Sequence, residues 1–355
     1  MDHPRPEPLN SRQRRLWDLH DFGRGRGLEI GPLHNTSIRR EHGDVKYLDV
    51  FDRDQLLKNY EGHPQVLPEL VPEVDFALFD GKRVRSIPEA VGAEPPFDWV
   101  MASHVIEHVP DVIGWLDQIA QVTVDGGRLV LVVPDRRYCF DVHRPGTTVG
   151  QMLQAHELGE TVPSVRAVYD YKRGHAYTKA PHIWRGQPPG YDMRINKLER
   201  VLAEVEKARA GEYIDAHVWT FTPGTLLEQL IELREIGHSE WMVQSHTTTP
   251  RNELEFFMVL QRLPRDGERP AALLATEPQP EHPMPDWLAE WVELREKKAT
   301  LQQRLKRRKK EIGRLQREVK RLRSELDAVR GSTRWRVGGA VTRPAGAVRR
   351  RLRRR

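Results

Sequence analysis

Gly27-Leu28-Glu29-Ile30-Gly31-Pro32-Leu33 is a short run of strand-forming residues that stops on a glycine and a proline. Similar runs recur downstream at Val45–Val50, Asp98–Ala102, Arg128–Val133 and Phe256–Leu260, with helical patterns between them. Such alternation predicts a mostly parallel α/β sheet. The runs show little polar alternation, as expected of strands buried on both faces. Gly126-Gly127 reads as a turn feeding the strand Arg128–Val133, and Thr222-Pro223 as a capped helix start that leads through Thr225–Arg234 to a stop near Gly237.

An open sheet of this kind binds nucleotide-like ligands beyond the carboxyl ends of its strands. Gly31 permits close approach of backbone to ligand. Asp49 ends the second strand about 20 residues beyond the first, the spacing at which a carboxylate reaches a ribose. Asp80-Gly81 follows the apolar run Phe76-Ala77-Leu78-Phe79 and is placed to meet a base. Singly, a strand-end Gly or Asp is ordinary turn chemistry. The weight lies in their order.

Leu28-Glu29-Ile30-Gly31, Tyr47-Leu48-Asp49, Phe97–Val109 with its Ser103-His104-Val105-Ile106-Glu107-His108, and Gly126-Gly127-Arg128-Leu129 onward to Pro134 together resemble the class I S-adenosylmethionine-dependent methyltransferases. The likeness is close over 27–134 and looser over 221–261, which looks like that family's last helix and terminal antiparallel hairpin. It implies a doubly wound, mostly parallel Rossmann-like sheet with a terminal antiparallel strand, and S-adenosylmethionine as cofactor. In such enzymes the first-strand acid and glycine, here Glu29 and Gly31, hold the methionine end. The second-strand acid, here Asp49, holds the ribose; Asp80 matches the position that meets adenine. Ser103 and His104 border both cofactor and substrate. One departure is plain: Leu33 and Asn35 stand where the family's loop repeats glycine.

His104-Val105-Ile106-Glu107-His108 also fits H-x-x-E-H, a zinc-protease signature that needs a helix presenting both histidines. Here it follows a buried strand and meets Pro110, so the protease reading is set aside. Some RNA ribose methyltransferases hold a metal with Glu-x-x-Glu-His at this place; this chain has His at the first position, and no metal is expected. A capping role suits Glu107. Methyl transfer to oxygen needs a base, and histidine suits it. His104 and His143 are the chosen candidates, with His108, His156, His175 and His182 behind them. Arg136, Arg137 and Arg144 offer a clamp for an acidic group on the acceptor.

The domain spans 27–262 after an N-terminal extension, 1–26. Within it, 135–218 is rich in His, Arg, Tyr and Pro and reads as a substrate or lid insertion. Residues 263–286 carry six prolines and read as a semi-rigid linker. Residues 287–330 form a heptad repeat. Its a positions are Trp291, Lys298, Leu305, Ile312, Val319 and Leu326, and its d positions are Leu294, Leu301, Arg308, Leu315, Leu322 and Val329. That pattern predicts a long coiled-coil helix and a homo-oligomer. The tail 331–355 holds nine arginines and no acids.

From Trp291 onward 24 Lys/Arg face 6 Asp/Glu, so the rest of the chain is net −12 within a whole of +6. A basic tail on an acidic body seeks an anionic partner. An anionic bilayer surface suits arginines interleaved with Trp335, Val337 and Leu352, and a nucleic acid is the alternative. The single cysteine, Cys139, rules out an intramolecular disulfide. With neither a secretory signal nor an apolar span, the expected location is cytoplasmic, with peripheral contact at the inner face of the membrane. Ser332-Thr333-Arg334-Trp335-Arg336-Val337 resembles an element at the ends of bacterial surface-polysaccharide enzymes. The expected function is O-methylation of a glycan or glycolipid-linked acceptor. The alternatives are a nucleic-acid-directed methyltransferase and an inactive coiled-coil adaptor.

Overall fold

The computed structural model describes residues 9–64, 66–263 and 286–331. The chain divides into two compact units, Met1–Asp286 and Trp287–Arg355.

Seven strands make the sheet of the first unit: β1 (Arg26–Ile30), β2 (Asp44–Asp49), β3 (Phe76–Ala77), β4 (Phe97–Ser103), β5 (Thr123–Pro134), β6 (Trp241–His246) and β7 (Glu255–Arg262). Their order is β3-β2-β1-β4-β5-β7-β6. The first five are parallel neighbours, while β7 runs antiparallel to both β5 and β6. This is the doubly wound, mostly parallel sheet with a terminal antiparallel hairpin that the resemblance implies. Helices α1 (Ser11–Leu19), α2 (Arg53–Asn59), α3 (Ile87–Val91), α4 (Val112–Gln121), α5 (Val149–Leu158), α6 (Val165–Gly174), α7 (Ala180–Trp184), α8 (Leu198–Arg209) and α9 (Pro223–Glu235) complete the unit.

Alternate residues of each strand feed two apolar layers. Leu129, Leu131 and Val133 of β5 join Leu28, Val100, Phe256 and Met258 beneath α4 and α9. Val130 and Val132 face the other way, with Tyr47, Trp99, Met101 and Phe257. Burial on both faces is why the strand runs carry almost no polar alternation. The second layer is closed by Leu16, Trp17 and Phe22, so the segment read as an extension belongs to this unit. Asn10 caps α1 by accepting from the Gln13 amide. A polar, arginine-rich helix bearing only Leu16 and Trp17 as buried residues has too weak a stripe to be read as core from sequence.

Gly27 is required for packing: a Cβ there would lie 2.0 Å from the fully buried Trp99 ring. The Gly126-Gly127 turn lies within β5, at a bulge where the register with β4 shifts between Phe97 and Trp99. Thr222 accepts from the Thr225 amide with Pro223 at the first turn of α9, and Gly237 has φ +84° just beyond. The insertion 135–218 holds α5 to α8.

Among the described residues, the second unit is a helix, α10 (Asp286–Gly331). Leu301, Leu305, Ile312, Leu315, Val319, Leu322 and Leu326 are all exposed on it. The linker from 264 to 285 and the tail from 332 lie outside the described residues. Among the described residues, no helix is long and apolar enough to cross a membrane.

Candidate active site

Parallel strands bring the carboxyl ends of β1, β2, β4 and β5 to one edge, and the site has two halves there. The first lies at β1 and β2. Gly31 has φ +66°, its amide donates to the Leu48 carbonyl at 2.8 Å, and a Cβ would lie 2.9 Å from Val105 Cγ2. Conformation and space both demand glycine. At the end of β2, Asp49 accepts from the Val50 amide at 2.7 Å. Burial raises its pKa to about 6, against the opposing pull of the Val50, Leu33 and Phe51 amides.

Glu29 is 1% exposed, and its two oxygens accept from the Ser37 and Ile38 amides at 2.6 and 3.1 Å. Burial pushes its carboxyl up to about 7 in spite of those bonds. Instead of presenting a free carboxylate to the methionine end, Glu29 fastens the loop that follows Gly31. Leu33 has φ +43° in that loop, a strained position for a side-chain-bearing residue where the family has glycine. Asp80 departs from expectation. Strand β3 ends at Ala77, and a bridge between Phe79 and Val84 makes a turn in which the exposed Asp80 accepts from the Lys82 and Arg83 amides. Its carboxylate serves that turn.

The second half opens beyond β4 and β5 as a cavity of about 640 Å³, lined among others by His104, Glu107, His108, Tyr138, His217 and Glu255. After Ser103 the chain leaves the strand in turns, and α4 begins only at Val112. H-x-x-E-H is therefore not helical, as the protease signature would need. His104 has φ +55°, a strained conformation of the kind found at functional sites. Its Nε2 lies 2.8 Å from Glu255 and its Nδ1 3.5 Å from Glu107. Burial acts to lower its pKa, but the Glu107 and Glu255 carboxylates outweigh that and hold it at about 9. Arg12 of α1 donates to Ser103 Oγ and to Glu255, each at 2.7 Å, closing the rim.

Two further histidines are each backed by an aspartate. His108 Nδ1 lies 2.9 Å from Asp215, and His217 Nδ1 lies 2.5 Å from Asp141. Burial would raise the Asp141 carboxyl; His217 and Arg144 reverse this and hold it at about 2. An ionised carboxylate only accepts, so in each neutral ring Nδ1 carries the proton and Nε2 the lone pair. Burial acts to lower the His108 pKa, but Asp215 and Glu107 outweigh it and raise it. Glu107 is 1% exposed between these rings, and its carboxyl sits below its usual range because His104, His217 and His108 overcome its burial.

His143 is not among the cavity-lining residues. It stacks on Tyr191, with Nε2 3.3 Å from the Gly190 carbonyl. The arginines expected to clamp an acceptor are buried in internal pairs. Arg137 grips Asp135 at 2.6 Å, Arg144 grips Asp141 at 2.8 Å, and Arg136 donates to the Arg144 carbonyl at 3.0 Å. The acids that hold Arg137 and Arg144 stand two and three residues before them in the sequence, a signal from which the pairing could have been read. His217 and Asp215 carried a weaker one, an aspartate two residues before a histidine where the insertion ends.

A Rossmann-like sheet with a glycine turn and a strand-end carboxylate at β1 and β2, beside a histidine-lined cavity at β4 and β5, is the arrangement in which open α/β sheets bind nucleotide-like cofactors. Residues 1–173 match the family model described as "Methyltransferase domain". The chain carries a class I S-adenosylmethionine-dependent methyltransferase domain, and S-adenosylmethionine is its cofactor. No curated protein matches it in sequence.

Among solved structures it is similar to an S-adenosylmethionine-dependent methyltransferase from Mesorhizobium loti (16% identity, covering 71% of this chain and 96% of that one, TM-score 0.36). It is also similar to the N-methyltransferase NodS from Bradyrhizobium japonicum (10%, 71% and 95%, TM-score 0.30). A third is an O-methyltransferase family protein from Burkholderia thailandensis (12%, 71% and 55%, TM-score 0.33). Likeness at this level says nothing of what this chain acts on.

Proposed function

We propose that the enzyme methylates a hydroxyl of a glycan or glycolipid-linked acceptor held in the cavity beyond β4 and β5. The observation that carries this is the pair of Asp–His couples, Asp141–His217 and Asp215–His108, at that cavity. A neutral hydroxyl must lose its proton as it gains a methyl group, and an imidazole oriented through Nδ1 by a carboxylate is a base of the required kind. When bound, S-adenosylmethionine supplies an electrophilic methyl group on a cationic sulfur. Gly31 and Asp49 orient it at the ends of β1 and β2, and the strained turn at His104 shapes the boundary between the two halves. His104 has both ring nitrogens turned to carboxylates, so it serves as a positioning group and the proton goes to His217 or His108. Arg12, tying Ser103 to Glu255, helps to exclude water.

A saccharide acceptor accords with the remainder of the chain. The exposed leucines, isoleucine and valine of α10 follow the heptad a and d positions, and a second copy of this chain offers the same stripe in the same register. The basic residues from 332 onward suit an anionic bilayer, where lipid-linked saccharides are assembled. Sedimentation equilibrium should give a multiple of the 41.2 kDa chain mass, and a strict monomer would contradict the self-association.

The function itself is tested with S-adenosylmethionine labelled in its methyl group, offered with lipid-linked saccharides or with RNA. Label in the saccharide fraction, lost in His217→Gln, is the expected result. Label in RNA alone would overturn it.

A further inference from the structure

We propose that Glu107, His108 and His217 hold a divalent metal ion at the floor of the cavity. One ligand atom from each of the three lies within 4.8 Å of the other two. Two imidazoles and one carboxylate leave further coordination positions open, as catalytic metal sites do.

Two independent observations point to a cation. Both oxygens of Glu107 are buried without a hydrogen-bond partner, and the nearest charged group, His104 Nδ1, stands 3.5 Å away. A buried carboxylate left in that condition is costly, and a cation would satisfy it. The second is the backing of the rings. Asp215 and Asp141 each take the Nδ1 side of one histidine. Metal-bound histidines show this outer shell of carboxylates, which fixes the tautomer and turns Nε2 toward the ion. Asp141 is itself braced by Arg144 at 2.8 Å. A single base needs one such couple. Two converging beside a bare carboxylate are what a metal needs.

Imidazole nitrogen favours zinc or another first-row transition ion over magnesium. With the ion bound, His108 and His217 would act as its ligands in place of the base role given them above. An acceptor hydroxyl at an open position would have its pKa lowered and lose its proton to solvent, so that the oxygen reaches the methyl group ionised. That catalytic role rests on the methyltransferase reading above; the binding of the ion does not. From sequence the metal is set aside, since Glu107 and His108 alone are an incomplete site. His217 lies over a hundred residues on, and folding brings it alongside: the His108 and His217 rings sit 4.6 Å apart.

The test uses the full chain, stripped with a chelator and titrated with Zn²⁺ alone by calorimetry, with ion content measured afterwards. One ion per chain is expected. Glu107→Gln and His217→Gln should each weaken binding by about 100-fold or more, and Asp215→Asn by about 10- to 100-fold. Because the Asp215 carboxylate is largely exposed, its replacement leaves the core intact should the buried variants fail to fold. S-adenosylhomocysteine affinity, measured on the same samples, should stay unchanged, which separates loss of metal from loss of fold or of the cofactor half. Absence of a bound ion, or unaltered affinity in Asp215→Asn and His217→Gln, would overturn the proposal.

Discussion

The two halves of the site are built in opposite ways. The cofactor half is local: Gly31, Leu33, Ser37 and Ile38 lie within nine residues of Glu29, and Asp49 sits on the neighbouring strand. The acceptor half is assembled at long range. Glu107 and His108 leave β4, Asp141 follows β5, Asp215 and His217 close the insertion, Glu255 starts β7 and Arg12 comes from α1. The first is held mainly by backbone amides, the second by charges that only the complete fold brings together. A half held by backbone amides should feel substitutions one at a time, whereas a half made of buried charge should break as a unit.

Asp141→Asn makes the strongest attempt to break that contrast. It leaves Arg144 buried without its ion pair and His217 without its anionic partner, so stability to denaturant should fall by about 3–5 kcal/mol. A loss under about 1 kcal/mol would show that the acceptor half is not so tightly coupled.

Glu29 gives the next largest effect, and it depends on pH. Its folded pKa of about 7 lies above the ordinary value of 4.5. Between those values the folded state binds more protons than the unfolded chain, so this group's contribution to stability falls as pH rises and then levels off above 7. Relative to Glu29→Gln, the wild type should lose about 3 kcal/mol across that window. Parallel unfolding curves for the two proteins from pH 4.5 to 7.5 would contradict the assignment. The smallest effect belongs to Leu33→Gly, which relieves the positive φ and should stabilise by at most about 1 kcal/mol. A loss of stability instead would mean that the Leu33 side chain does more than occupy the loop.

The same contrast explains what the sequence reveals. The strands of the parallel sheet, the cap at Thr222, the glycine turn at Gly31 and the strand-end carboxylate of Asp49 are legible because strand periodicity, capping and turn chemistry are local. Asp80 misleads because its apolar run suggests a longer strand than the two residues that pair with β2. Arg136, Arg137 and Arg144 mislead because an arginine shows its charge in the sequence but not its partner. The N-terminal helix is missed because its buried stripe is only Leu16 and Trp17. The convergence of His108 and His217 upon Glu107 has no local signature, since the insertion and its helices α5 to α8 intervene.

Calorimetric titration of the full chain with S-adenosylhomocysteine tests the central claim most directly, with Asp49→Ala alongside. One molecule should bind per wild-type chain, and the variant should bind at least about 10-fold more weakly, as loss of a charge-assisted hydrogen bond to a ribose predicts. No binding by the wild type, or equal affinity in Asp49→Ala, would contradict the cofactor site at the ends of β1 and β2.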